Sequence, residues 1–502
     1  MKNKLKYTVY AILLLIICST RQSFSQVPAR TGPASAEEIK QSREALDKNM
    51  NSLVAHKAYI YAMGIYNPLV IEQYRTWMKQ YPENVNIPLA IGSVFYGAEM
   101  PQAKEFLLAA AAMKPENAKI WFMLYGDALT RGLDGLATEY IKKASFADTS
   151  NAQYAAAYLM PFEHTDPDYK RKVFDFVKRF PTSESGAAVL YWFAEHTTNI
   201  ADKINYFEEL RKAYPPLNFS WSSAGMKTLA DAYLQTDPEK ALPLINQMGE
   251  GKDWRTRKQV AELLIEANLL ERSQNYKEAM NKMDLIVLPK LNYMNEFITL
   301  KKASLLAKIG NVKMAYDSLA IKFAKLPSDQ LYNTLEIYGK KIGKDNQQIE
   351  KDVETWRNST AVAAYPFELG LYTSKGKLSL AKLKGKVVLL TFWFPACSPC
   401  RAEFPDFQVV IDKFKGKDVV YVGINVSPEQ DPYVIPMMKN TNYSFIPLRG
   451  SPEFAAEFYN VRDEPQNFLI DKDGKVIFKG FRIDNTNHRT LELMISSLLK
   501  KG

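Results

Sequence analysis

The chain has 502 residues, of which 47% are hydrophobic and 24% charged, and a formal net charge of +10. That length suggests two to four domains, and the apolar share supports sizeable cores. Four of the positive charges (Lys2, Lys4, Lys6 and Arg21) lie in an N-terminal stretch without acids, which leaves about +6 on the rest, interspersed with acids and without a dense basic block. Such a balance gives no footprint for nucleic acid.

Residues 1–25 read as a secretory signal. Lys2, Lys4 and Lys6 form a positive start, and Val9 to Cys18 is an apolar run of ten residues. A run that short does not span a bilayer as a helix. Ser23-Phe24-Ser25 offers small residues for cleavage after Ser25. An uncleaved membrane anchor and a lipoprotein signal ending at Cys18 are the alternatives, neither of them favoured. All three place the bulk of the chain outside the cytoplasm, in a periplasm-like compartment where disulfides persist.

Residues 26–357 read as helical throughout, with apolar residues at helical spacing, as in Ile87, Ile91, Val94 and Phe95. Breaks recur at Pro82, Pro115, Asp148, Pro181 and Pro215, spaced 33, 33, 33 and 34 residues apart. A fixed period of this size marks stacked helix–turn–helix units. Ala103, Leu107, Ala110 and Pro115, then Trp121, Leu124, Ala137, Ile141 and Ala144, follow that period. Asn275–Ala279 and Gly310–Ala315 repeat the turn and second helix later on. These positions resemble the tetratricopeptide repeat, although most signature positions are missing in any one unit. An all-α solenoid of about eight or nine helical hairpins is expected, with an extended concave surface for partners. A plain helical domain without a ligand is the alternative. Aromatic pairs such as Trp121-Phe122 and Trp192-Phe193 read as core, so no site is assigned here.

Residues 361–502 have a different texture, with strands and more turns. Phe367–Leu369 and Lys377–Leu380 flank a Ser374-Lys375-Gly376 turn and predict a hairpin. Val387–Phe394 and Val419–Val426 are almost wholly apolar, as strands inside a covered sheet are. A helix over Arg401–Phe414 between them makes a β-α-β unit and implies parallel strands. Phe468–Asp471 and Lys475–Phe478, joined by Lys472-Asp473-Gly474, predict a second hairpin. His488–Lys500 reads as a closing helix.

Cys397-Ser398-Pro399-Cys400 lies between the first apolar strand and its helix. A helix N-terminus favours the thiolate of the first cysteine, which is the nucleophile of thiol–disulfide exchange. The chain's third cysteine, Cys18, falls in the signal, and the four histidines are scattered. The pair therefore reads as a redox motif. An inert disulfide and a metal half-site shared between two chains remain as alternatives. No Gly-rich phosphate loop or ligand cluster points to a metal, nucleotide, flavin or other cofactor.

These residues resemble the TlpA/ResA-like thioredoxin-fold oxidoreductases. The likeness rests on Lys382–Leu390 leading to Phe392-Trp393, on Cys397-x-x-Cys400, and on Pro465 followed by Phe468–Gly474. It covers 361–502 and implies an α/β thioredoxin-like fold and exported exchange of client disulfides. It also implies that Pro465 is cis and aligns an incoming peptide. Glu403, three residues past Cys400, matches a carboxylate that such proteins hold near the cysteines to raise thiol pKa values and shuttle a proton. A solvated helix-start glutamate is the other reading of Glu403. Pro405 matches the kink proline of this helix. Three positions depart from the pattern. Thr391 replaces a buried aspartate, Ala396 replaces an aromatic residue, and Glu464 stands before Pro465, where a carboxylate would disfavour thiolate and acidic clients.

The expected activity is that of an exported protein disulfide reductase. Cys397 attacks, Cys400 resolves, Glu403 and Pro465 assist, and Glu464 and Pro465 face the substrate. Its partners would be a disulfide-containing client protein and an upstream thiol-disulfide electron donor. A thiol peroxidase is a weaker reading, because Phe394 stands where such enzymes place a threonine. The reading from another class is a binding scaffold in which the repeat array works and the redox domain is a passenger or a redox-controlled clamp.

Overall fold

The computed structural model describes residues 34–163, 166–288 and 294–500. The expected signal over 1–25 lies outside the described residues.

Among the described residues, nineteen α-helices run from Ala36 to Ser359. Pro82, Pro115, Asp148, Pro181 and Pro215 all fall in turns between helices. The turn chemistry explains this. Proline cannot continue a helix, and the Asn or Ser just after it caps the next one. Asn117 Oδ1 accepts from the Lys119 amide at 3.1 Å. Asn151 Oδ1 takes the Gln153 and Tyr154 amides, and Ser183 Oγ the Ser185 amide. Ala103, Ala110, Ala137 and Ala144 are buried where paired helices meet. Gly126 is required for a close approach, since a Cβ there would lie 2.7 Å from the Tyr96 hydroxyl. One apolar core runs on from Leu46 to Leu305, and a second joins Ala303 to Val353. Trp121 belongs to that packing, stacked on Tyr140, and its indole N–H donates to the Pro115 carbonyl.

The C-terminal region is an α/β thioredoxin-like fold. Its strands are β1 (Val362–Ala363), β2 (Glu368–Gly370), β3 (Lys377–Ser379), β4 (Val387–Trp393), β5 (Val419–Asn425), β6 (Ile446–Arg449), β7 (Gln466–Ile470) and β8 (Lys475–Lys479). Six of them form one sheet in the order β1-β8-β7-β4-β5-β6, and β2 and β3 form a separate antiparallel hairpin. β4 runs parallel to β5, β5 parallel to β6, and β7 antiparallel to β4. β4 is buried along its whole length because both faces are covered. Val387, Leu389 and Trp393 pack on one side with the cysteine-bearing and closing helices. Val388, Leu390 and Phe392 pack on the other.

The cysteine-bearing helix spans Ser398–Lys413, one turn earlier at its start than the sequence predicted. Cys397 is its N-cap, and Pro399 sits in the first turn, where its missing N–H costs nothing. The closing helix is His488–Leu499. Helices Asp431–Asn440 and Pro452–Tyr459 and strand β6 were not anticipated.

Candidate functional site

The site grows from the end of β4. That strand, inside the sheet, ends at Trp393, and the chain turns through Phe394–Ala396 into the helix start. Cys397 and Cys400 are joined by a disulfide, with Cα atoms 5.3 Å apart. Cys397 Sγ accepts from the Cys400 amide at 3.2 Å, so a group carrying negative charge there meets a backbone donor and the helix N-terminus. Trp393, Phe404 and Phe445 form an aromatic floor under the pair, with ring centroids 5.0–5.3 Å apart.

Glu403 is one helical turn beyond Cys400 and only 4% exposed, so it is not a solvated helix-start residue. Its Oε2 accepts from Asn467 Nδ2 at 2.7 Å and its Oε1 from the Ile483 amide at 3.3 Å, with Arg482 3.5 Å away. Burial raises its pKa to about 7, against the opposing pull of Arg482, Asn467 and the Ile483 amide. Thr391, in place of an aspartate, donates to Asn467 Oδ1 at 2.7 Å. A polar chain Thr391–Asn467–Glu403 thus crosses from β4 through β7 to the cysteine helix. Sequence reasoning missed Asn467. Its only signal was a polar pair, Gln466-Asn467, at the start of an otherwise apolar strand.

The Glu464–Pro465 peptide is cis. Phe392 pairs with Gln466, so Pro465 comes level with Trp393 at the strand end that leads into the motif. Glu464 is half-buried, and burial and then Asp463 raise its pKa. The structure therefore gathers Cys397, Cys400 and Glu403 on one helix, with Glu464 and Pro465 leading into the strand that carries Asn467.

Two further residues flank the motif. Gln430 Oε1 accepts from the Ala396 amide at 2.8 Å, just before Cys397. Arg401, just after Cys400, is 7% exposed and donates to the Pro395 carbonyl and to Thr130 Oγ1. Burial lowers the Arg401 pKa to about 10. Thr130 belongs to the helical region, to which the sequence assigned no site. Cys397 is 3% exposed and Cys400 fully buried. Among the described residues, no group of three or more His, Cys, Asp or Glu side chains is arranged to hold a metal.

Residues 362–479 match the AhpC/TSA family. Over 105 residues the chain is 34% identical to the thiol-disulfide oxidoreductase ResA of Bacillus subtilis, covering 21% of this chain and 58% of that one. Over 110 residues it is 29% identical to the thioredoxin-like protein YneN of the same species, covering 22% and 65%. The chain thus spans about three fifths of the length of these curated relatives. A solved thiol:disulfide interchange protein of the thioredoxin family from Chlorobium tepidum is 26% identical, with a TM-score of 0.25, covering 28% of this chain and 97% of that one.

Proposed function

We propose that this protein is an exported thiol-disulfide oxidoreductase that reduces client disulfides through Cys397 and Cys400. The observation that supports it most is the pair's placement: a disulfide at a helix N-terminus, with a buried carboxyl one turn away whose pKa is about 7. In the dithiol form, the Cys397 thiolate attacks one sulfur of a client disulfide. A Cys397–client S–S bond forms, the client's own S–S bond breaks, and its second sulfur leaves as a thiolate. Cys400, deprotonated, then attacks Cys397 Sγ and releases the first client sulfur. Two electrons and the two protons of the enzyme dithiol end on the client, and the Cys397–Cys400 disulfide remains. An upstream dithiol donor must restore it. Glu403, near its midpoint at neutral pH, is suited to carry a proton between Cys400 and the departing thiolate. Pro465 would align the client chain, and Glu464 would disfavour acidic segments beside it.

Equilibration of the full chain with glutathione tests this reading. A reduction potential below about −200 mV is expected, whereas one near −120 mV would make the protein an oxidant. A pair that never equilibrates overturns exchange altogether. Export is tested separately, by N-terminal sequencing after expression in a secreting host. A start at Gln26 is expected, and an intact Met1 would refute cleavage. Among the described residues, no helix is long and apolar enough to cross a membrane.

A further inference from the structure

The helical region grips both flanks of the redox motif. On the Cys397 side, Gln430 holds the Ala396 amide, and its own Nε2 donates to Glu99 of the helical region at 2.7 Å. On the Cys400 side, Arg401 donates to Thr130 Oγ1 at 2.9 Å. Around them Tyr433 donates to Asp127 at 3.2 Å, and Asn440 to the Arg131 carbonyl at 2.9 Å. Arg131 lies 4.8 Å from the Tyr433 ring centroid and is paired with Asp127. The turn after Thr130 is seated closely, since a Cβ on Gly132 would lie 2.6 Å from the Thr441 methyl. Glu99 itself has φ of 56°. A non-glycine residue in the left-handed region is uncommon, and surrounding contacts must hold it there.

A thiol that must meet a sulfur of another protein is here 3% exposed. We propose that the helical region is a gate on the disulfide, and that the Glu99–Gln430 and Thr130–Arg401 contacts are its latch. This rests on the exchange reading above. The latch is made of buried and part-buried polar contacts between side chains, and polar interfaces within one chain are the kind that open. A second set of contacts, Arg489 with Asp329 and Lys500 with Glu350, ties the closing helix to the last two helices of the helical region and would stay in place as the pivot. A partner sees only the open fraction, so its apparent rate is the intrinsic rate scaled by that fraction. The gate therefore discriminates by size. A protein dithiol needs the whole face uncovered, and a small dithiol needs far less.

The test uses the oxidised full chain. Reduction of Cys397–Cys400 is followed by thiol trapping, with dithiothreitol as the small dithiol and reduced thioredoxin as the protein dithiol. In the wild type, the rate with thioredoxin should level off with concentration, because opening becomes limiting. In Glu99→Ala/Thr130→Val it should rise about tenfold, which corresponds to about 1.4 kcal/mol of latch. The dithiothreitol rate should rise much less. Asn440→Ala, at the exposed rim, gives a milder opening should the double variant fold poorly, and a smaller gain in the same direction is expected. Equal thioredoxin rates in the wild type and Asn440→Ala, with a folded double variant equally fast, overturn the gate. A slower double variant also overturns it, and means that the contact completes the site. If even the opened protein reduces no disulfide after recharging, the exchange reading fails, whatever the gate does.

Discussion

Cys397→Ser is expected to abolish exchange, and Cys400→Ser to stall it halfway. The first substitution removes the nucleophile, and loss of more than about a thousandfold in rate is the usual scale for that change. The second leaves the nucleophile but removes the group that resolves the Cys397–client bond, so a mixed disulfide should accumulate. Non-reducing electrophoresis of each variant with a disulfide-bonded substrate separates these outcomes. A Cys400→Ser protein that traps nothing, beside a wild type that turns over, would show that Cys397 is not the attacking sulfur. Cys397, at the helix N-cap, keeps 3% of its surface exposed and Cys400 none, which favours Cys397 as the sulfur a client reaches first.

Glu403 should make the protein less stable as pH rises through neutrality. Its carboxyl has a pKa of about 7 when folded, against 4.5 as the ordinary value. The folded state therefore holds a proton that the unfolded chain has already released. Stability from this group is full below about pH 4.5, falls between there and 7, and is gone above. The shift corresponds to about 3 kcal/mol. Glu403→Gln removes the titration, so the thermal midpoint of the thioredoxin-like region should fall between pH 5 and pH 8 in the wild type and stay level in the variant. The absolute midpoint is not the readout, because glutamine must satisfy Asn467 and the Ile483 amide with one acceptor instead of two. Parallel slopes would show that the carboxyl ionises normally and would remove it as a proton carrier. The same variant should flatten any inflection near pH 7 in the exchange rate.

Much of this was legible in the chain. β4 and β5 announce themselves as apolar runs, and both hairpins carry their turn residues. The 33-residue spacing marks turns because proline and its following cap act locally. The missed elements are short and interrupted by proline. Pro432 and Pro436 fall in the Asp431–Asn440 helix, Pro447 in β6, and Pro452 at the start of the next helix. Each reads as a breaker unless the neighbouring sheet is already in place. The site divides in the same way. Cys397 and Cys400 are visible as a local pattern. Glu403 is buried against the sheet and hydrogen-bonded by Asn467, 64 residues away, and Gln430 is held by Glu99, 331 residues away. No periodicity spans such distances.

Thr130 and Arg401 are 271 residues apart, and their contact closes a loop of more than half the chain. Contacts of such high order form late, after the regions that carry them have folded as units, the N-terminal one first. Cys397 and Cys400 would then pass through a period in which their domain is folded but not yet docked, open to whatever oxidant the compartment supplies. Pulse labelling of thiols during refolding would show this as reactivity that outlasts the folding of both regions and disappears only when they join.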